Sequence, residues 1–319
     1  MQVFRNLPPP AQRTPCALTI GNFDGVHRGH QALLGEVREA ARRLSLSACV
    51  LTFEPHPREF FARSNASLNA PHRIASLRDK LLELATQGID RTCVMHFNER
   101  VARLDADAFV EQILVRGLQV RWLMIGDDFR YGAQRRGDFD HLERASRKHG
   151  FELRSMPTVL EAGRRVSSSA VREALAAADL NLARTLLGRP YSVSGHVIHG
   201  RKLGRTLGFP TLNLRMPPGR PALAGIFVVQ VHGLGATPLP AVASLGTRPA
   251  VESDGTWLLE THLLDWQGNA YGRLVRIEFL QHLRDEAHYD SLDALTAQIR
   301  QDAQDARRYF ALNSPLSAA

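Results

Sequence analysis

Two textures of apolar and polar positions divide this chain. In its first part, short apolar runs alternate with longer stretches in which apolar side chains recur every three or four residues. The runs Cys16 to Ile20, Ala48 to Phe53, Thr92 to Phe97 and Trp122 to Ile125, with another opening at Phe151, read as strands; unbroken apolar character is what burial on both faces of a parallel sheet produces. Between them, Gln31 to Leu44 carries Leu33, Leu34, Val37 and Ala41 at helical spacing. Ile74 to Gln87 carries Leu77, Leu81, Leu82, Leu84 and Ala85 and stops at Gly88. Ala106 to Val115 and Phe139 to His149 complete the helices. Strands alternating with helices of this length predict a parallel, doubly wound α/β sheet.

From Ser192 the pattern changes to short alternating segments punctuated by Gly and Pro, with strands over Ile226 to Val231, Pro240 to Pro249 and Leu258 to Trp266. This predicts a small antiparallel barrel. Ser291 to Leu312 then places Leu292, Leu295, Ile299, Ala303, Ala306 and Phe310 on one helical face, a terminal amphipathic helix packed on the barrel. The change falls at Leu186 to Tyr191, giving domains of residues 1–185 and 186–319. There is no internal repeat.

Composition narrows the class. A chain of 319 residues, 44% hydrophobic and 23% charged, is long enough for two soluble domains. No apolar run is long enough to span a bilayer and the first residues lack a signal-peptide core, so the expected location is the cytoplasm, without a membrane partner. Cys16, Cys49 and Cys93 offer neither a disulfide framework nor zinc spacing. The net charge of +8 suits anionic ligands, but the arginines are dispersed among acids. That pattern favours small phosphorylated ligands over nucleic acid.

Candidate chemistry sits at the junctions. The first strand feeds Gly21-Asn22-Phe23-Asp24-Gly25-Val26-His27-Arg28-Gly29-His30-Gln31. Gly21 and Gly25 let the backbone approach a ligand, and the new helix points unpaired N–H groups at an anion. His27 and His30, three apart, share one face there and can stabilise charge developing in phosphoryl or nucleotidyl transfer. The second strand stops at Glu54-Pro55-His56-Pro57, a proline-stiffened loop at the edge where open α/β sheets bind ligands. The fourth runs into Gly126-Asp127-Asp128-Phe129-Arg130-Tyr131-Gly132, with carboxylates for Mg²⁺ or a hydroxyl, and Phe129 or Tyr131 to stack on a flat ring. Val166-Ser167-Ser168-Ser169-Ala170-Val171-Arg172 opens a helix on which hydroxyls, N–H groups and Arg172 can meet one anion.

In the second texture, Gly200-Arg201-Lys202-Leu203-Gly204-Arg205-Thr206-Leu207-Gly208-Phe209-Pro210-Thr211-Leu212-Asn213 sets three glycines at intervals of four among basic residues, a cationic arch whose amides can cradle phosphates. Thr211 and Asn213 alternate about Leu212, so on a strand both face one way and offer hard oxygens to Mg²⁺. Glu260, His262 and Leu264 share a face of a later strand.

The first junction resembles the His-x-Gly-His signature of the nucleotidylyltransferase superfamily. Its full wording, with Thr52 to Phe61, Gly126 to Gly132, Ser167 to Arg172, Gly200 to Asn213 and Glu260 to Asp265, resembles bacterial bifunctional riboflavin kinase/FAD synthetases over residues 16 to 310. The resemblance implies a nucleotidylyltransferase-type Rossmann-like domain, then a riboflavin kinase-like β-barrel with a C-terminal helix. It implies small-molecule substrates riboflavin, FMN and ATP, and Mg²⁺. On it, His27, His30, Arg172 and Glu260 are catalytic, Glu260 as the base. Gly21, Asn22, Phe23, Asp24, Gly25, Ser168 and Ser169 bind ATP in the first domain, and Gly200, Lys202, Gly204, Arg205 and Gly208 in the second. Pro55, His56, Pro57, Asp128 and Tyr131 line the flavin site, and Thr211 and Asn213 hold the metal. Departures are Tyr131 and Phe227, which exchange one aromatic ring for another, Ser169 for threonine, Val171 for isoleucine, Leu212 at a position usually small, and Ala250 where threonine is usual.

Overall fold

The computed structural model describes residues 1–65, 69–161, 163–200, 204, 207–216, 220–247 and 257–313. The chain forms two compact units, Met1–Pro71 with Leu77–Ser167, and His72–Ser76 with Ser168–Ala319.

The first unit holds a parallel sheet of β1 (Gln2–Arg5), β2 (Cys16–Ile20), β3 (Ser47–Glu54), β4 (Arg91–His96), β5 (Val120–Gly126) and β6 (Glu152–Met156), ordered β1-β4-β3-β2-β5-β6. Every residue of β2 is buried because both faces are covered. On one face Leu18, Ile20, Leu51, Leu123 and Ile125 pack with Phe109, Ile113 and Leu142. On the other, Ala17, Val50, Trp122 and Met124 meet Leu34, Val37 and Ala41 of α1 (Arg28–Arg43). Burial of each large apolar side chain contributes roughly 1.5–3 kcal/mol. The remaining helices are α2 (Pro57–Ser64), α3 (Leu77–Thr86), α4 (Glu99–Ala102), α5 (Ala106–Ala108) and α6 (Phe139–His149).

Strand order carries the functional consequence. From β2 the chain proceeds outward through β3 and β4, then returns to place β5 on the other side of β2. Open α/β sheets bind ligands at such a reversal, beyond the carboxyl ends of the strands. There the loops after β2 and β5 lie side by side.

Several elements differ from expectation. The N-terminal residues add β1, in parallel register with β4. Pro57 sits at the first turn of α2, where its missing N–H costs nothing, so the proline loop opens a helix. The stretch expected as one α-helix over Ala106 to Val115 continues past α5 as a π-helix, Phe109–Val115, whose wider turn keeps Phe109, Ile113 and Leu114 buried together.

In the second unit, α7 (Ser168–Ala176) and α8 (Leu180–Leu187) precede an antiparallel sheet of β9 (Ser192–His196), β10 (Thr211–Arg215), β11 (Gly225–His232), β12 (Leu239–Thr247), β13 (Trp257–Leu263) and β14 (Leu274–Arg284), ordered β10-β13-β12-β11-β14-β9. The Ile198–Asn213 bridge brings its two ends together into a barrel. Leu212, Leu214, Phe227, Ala243, Leu245, Leu259, Ile277 and Phe279 are buried, and their strands alternate with more exposed outer positions. Helix α9 (Leu292–Asn313) covers part of the outer face, packing Ala303 and Ala306 on Val228 and Leu264. Bidentate pairing of Arg284 with Asp302, at 2.9 and 2.7 Å, ties the end of β14 to α9.

Candidate active sites

In the first unit the β2 loop is shaped by backbone that few side chains tolerate. Phe23, Gly25 and Val26 take φ of 48°, 83° and 42°, while the fully buried Phe23 ring anchors the turn. This folds the loop back so that His27 becomes the N-cap of α1. Its Nδ1 accepts the His30 backbone N–H at 3.3 Å, which leaves Nε2 as the ring's donor. The His27 and His30 rings stack at 3.7 Å, 15° from parallel, and Phe23 lies 4.9 Å from His30. Part of the His30 residue reaches the surface, but its Nδ1 is fully covered and without a hydrogen-bond partner. Burial, then the neighbouring His27 and Lys80, hold its pKa well below the usual imidazole range. His30 is therefore neutral at pH 7. His30 offers an N–H dipole, not an imidazolium charge, at a helix start already positive by its dipole. Asp24 is buried, Asn22 leaves a covered Oδ1 unpartnered, and Gly21 donates to Leu51 O at 3.1 Å.

The neighbouring loops supply carboxylates and flat rings. His56 caps α2 through Nδ1, accepting the Arg58 N–H at 3.1 Å between Pro55 and Pro57. Beside it Phe60, Phe61 and Phe97 meet edge to face within 5.4–5.8 Å. Asp128 is exposed and accepts from Arg165 at 3.2 Å. Tyr131 lies differently from a stacking platform. Its ring is 6% exposed, wedged between Phe109 and Phe129 and against Gly137, and its hydroxyl meets His141 Nδ1 at 2.6 Å. The aromatic residue with an open side in this loop is Phe129, which is half-buried. The phenol, inserted where the resemblance has phenylalanine, found a polar partner inward.

Two groups here gave no sequence signal. Lys80 is 4% exposed on α3, an unusual depth for a lysine, and near enough to act on His30. The Phe60–Phe61–Phe97 cluster is assembled from separate elements. Cys16, Cys49 and Cys93 are buried side by side across β2, β3 and β4. Hydrogen bonding among the thiols and burial push the pKa of Cys49 and Cys93 up, as expected for core residues.

The second unit holds Ser168, Ser169 and Arg172 on α7, with Arg172 Nε donating to His72 O at 2.7 Å. Its barrel holds the other candidates. Thr211 and Asn213 project from the outer face of β10, and Asn213 stands in register with Glu260 of β13, which stands in register with Ser244 of β12. Glu260 is exposed. Asn213 is 4% exposed, with Nδ2 donating to Thr211 O at 3.3 Å and its hydroxyl at 3.5 Å, and with Oδ1 covered and unpartnered. A buried carbonyl oxygen without a donor costs about 1–3 kcal/mol unless a ligand completes it. Gly200 lies directly on that amide, since a Cβ there would stand 2.6–2.7 Å from Nδ2, Cγ and Oδ1. Gly208 takes φ of 85° and Gly204 lies in the same arch, while Lys202 and Arg205, like Ala250, lie outside the described residues. Among the described residues no group of three His, Cys, Asp or Glu is arranged for a metal ion, and no helix is long and apolar enough to cross a membrane.

Comparison with known proteins finds two family models along the chain. Residues 10–170 match the FAD synthetase family model, and residues 187–310 match the riboflavin kinase model. A bifunctional riboflavin kinase/FMN adenylyltransferase of Escherichia coli (strain K12) is 46% identical over 305 residues, 96% of each chain. One from Pseudomonas fluorescens is 46% identical over 310 residues, 96% of this chain and 97% of its own. A Streptococcus pneumoniae crystal structure described as a macrolide-efflux protein superposes with a TM-score of 0.75 at 26% identity, covering 96% of this chain and 98% of that one.

Proposed function

This chain belongs to the bifunctional riboflavin kinase/FMN adenylyltransferases, making FMN from riboflavin and FAD from FMN with ATP as co-substrate, and we propose how its own residues divide that work. The observation that carries the proposal is the pairing, on one barrel face, of the buried, unsatisfied Asn213 amide with the exposed Glu260 in register beside it.

In the kinase half, Glu260 orients the primary 5′-hydroxyl of riboflavin and takes its proton as the oxygen attacks the γ-phosphorus of ATP and ADP leaves. The Gly200 to Gly208 arch, with Lys202 and Arg205, holds the phosphates. Thr211 Oγ1 and Asn213 Oδ1 are hard oxygens, and the missing donor at Oδ1 fits a cation. They would hold Mg²⁺, which would supply neutralisation of phosphate charge.

In the adenylyltransferase half, an FMN phosphate oxygen attacks the α-phosphorus of ATP and pyrophosphate leaves. His27 and the neutral His30 donate N–H groups to phosphate oxygens whose charge rises in the transition state, aided by the α1 N-terminus. Gly21 to Gly25 let the nucleotide approach the backbone. Ser168, Ser169 and Arg172 take part in binding the triphosphate, and Pro55, His56, Pro57 and Asp128 line the flavin, with Tyr131 supporting from behind Phe129. No covalent enzyme intermediate is needed, because both acceptors are already nucleophiles.

The test is to incubate the chain with riboflavin, ATP and Mg²⁺, and separately with FMN, ATP and Mg²⁺, and resolve flavins by chromatography over time. The expected result is FMN followed by FAD in the first and FAD in the second. FAD from supplied FMN alone would overturn the roles of Glu260 and Asn213.

A further inference from the structure

The Tyr131 phenol, which replaces a phenylalanine of the family pattern, belongs to a chain of contacts that ends behind the adenylyltransferase site. Tyr131 Oη lies 2.6 Å from His141 Nδ1, and His141 Nε2 lies 3.2 Å from Asp107 Oδ1. Burial, then the charges of Asp107 and Asp138, push the Tyr131 pKa above the ordinary phenol range, so the hydroxyl stays a donor. His141 Nδ1 therefore accepts from it, and Nε2–H donates to Asp107. The imidazole is itself fixed at the start of α6, where the His141 backbone N–H donates to the capping Asp138 Oδ1 at 2.9 Å.

The faces of the Tyr131 ring carry this anchor to the site. One ring neighbour is Phe129, within 17° of parallel and 5.6 Å away between centroids; another is the buried Phe109, tilted at 5.2 Å. Gly137 closes a third direction, since a Cβ there would stand 2.6 Å from the ring, and paired N–H···O bonds of 3.0 and 2.9 Å join the two residues. Van der Waals packing alone lets a ring slide and tilt, whereas a bond at Oη is directional and fixes both. Phe129 rests half-buried on this surface beside Asp128, just past the carboxyl end of β5, where the strand order reverses next to β2. A phenylalanine at 131 would fill the same space without the bond, and the largely buried His141 would then lose the donor to its Nδ1. The hydroxyl and the imidazole are two halves of one device.

We propose that His141, acting through Tyr131 and steadied by the exposed Asp107, is a positioning residue of the adenylyltransferase: the chain fixes the plane of Phe129, on which the flat ring of FMN stacks. The inference rests on the reading above that FMN is bound at this loop.

The test measures FAD formation from FMN, ATP and Mg²⁺ with the full chain. Loss of the one hydrogen bond should raise the KM for FMN roughly three- to tenfold in His141→Leu and in Tyr131→Phe, with kcat within about twofold. Asp107→Asn, at a side chain 92% exposed, should cost less than about twofold. Dependence on Phe129 is the readout that a merely structural role would not move. His141→Leu should add nothing to Phe129→Leu, and Tyr131→Phe/His141→Leu should be no worse than either single variant. FMN formation from riboflavin, the work of the other unit, should stay within about twofold throughout. An unchanged KM for FMN in both Tyr131→Phe and His141→Leu would overturn the proposal. So would a loss that persists undiminished in the Phe129→Leu background, or one that falls on kcat and the KM for ATP alone. The underlying placement of FMN fails separately, if Phe129→Leu itself leaves the KM for FMN unchanged.

Discussion

Gly200 offers a sharp perturbation of the proposed kinase site, because one methyl group there meets three atoms of the Asn213 amide at once. Its φ lies outside the left-handed region, so Gly200→Ala adds no backbone strain and only the Cβ matters. That Cβ would stand 2.6–2.7 Å from three atoms of the Asn213 amide, where carbon contacts settle near 3.5–4.0 Å. Either the arch or the amide must move by about 1 Å, and a misplacement of that size costs about a hundredfold in rate where positioning is the catalytic device. The expected result is a roughly hundredfold fall in FMN formation from riboflavin, with FAD formation from supplied FMN within about twofold. Overpacking should lower stability by no more than about 1–3 kcal/mol, measurable by denaturant titration. Because the damage passes through one side chain, Gly200→Ala/Asn213→Ala should be no slower than Asn213→Ala alone. A folded Gly200→Ala chain phosphorylating riboflavin within threefold of the unmodified rate would refute the reasoning, and so would additive losses in the double variant.

Four further outcomes are expected. His30→Ala should abolish FAD formation while sparing FMN formation, and Glu260→Gln should do the reverse when FMN is supplied, as read by flavin chromatography. His30 binds a proton more weakly folded than unfolded, so stability should fall as pH drops below about 6.5, by up to about 1.4 kcal/mol per pH unit, and His30→Gln should flatten that slope in denaturant titrations at pH 5 to 8. Cys16, Cys49 and Cys93 should resist a disulfide-exchange reagent at pH 8 in the folded chain and all react once it is unfolded. Asp302→Ala, which strands the partly buried Arg284, should cost about 2–3 kcal/mol and loosen the segment that carries Glu286, read by thermal unfolding and hydrogen exchange.

Periodicity carried the architecture because burial on two faces leaves so direct a trace. Cys16 to Ile20 is apolar throughout since both sides of β2 are covered, and α6 spans Phe139–His149, as its spacing predicts. Where a signal is short or borrowed from a neighbour, it was illegible. β1 has four residues and buries only Phe4, so its strand character comes from pairing with β4. β14 runs for eleven residues, yet its alternation of Val275, Ile277 and Phe279 with Arg276 and Glu278 lasts only to Phe279, beyond which register shifts against β11 interrupt it. The local pieces of both sites were legible as junctions of glycine, histidine and serine with a strand or helix. Lys80 and Glu286 were not, because nothing local distinguishes a lysine that a fold will bury, or a glutamate that rests on a glycine forty residues earlier in the chain.

That last relation bears on how the barrel makes a site from an outer face that elsewhere needs only to meet water or α9. Sheet geometry fixes Asn213, Glu260 and Ser244 in a row one strand apart, but a row of side chains on a convex surface gives a substrate only one wall. Irregular chain is drawn close to the sheet at two points, Gly200 on β10 and Glu286 on β12. Close approach requires the atom beneath to be small or absent. At the first contact it is the arch that supplies a glycine, Gly200 over Asn213; at the second it is the sheet, Gly246 under Glu286. Both glycines have φ values that other residues adopt, so it is space that excludes a side chain there. Alanine at either position therefore tests one contact without disturbing the row. On the proposed roles, Gly200→Ala should act on the phosphate side of the kinase site, through kcat and the ATP and Mg²⁺ dependence, and leave the KM for riboflavin within about threefold. A loss confined to the KM for riboflavin, with the ATP and Mg²⁺ dependence unchanged, would refute the placement of the phosphates beside Asn213.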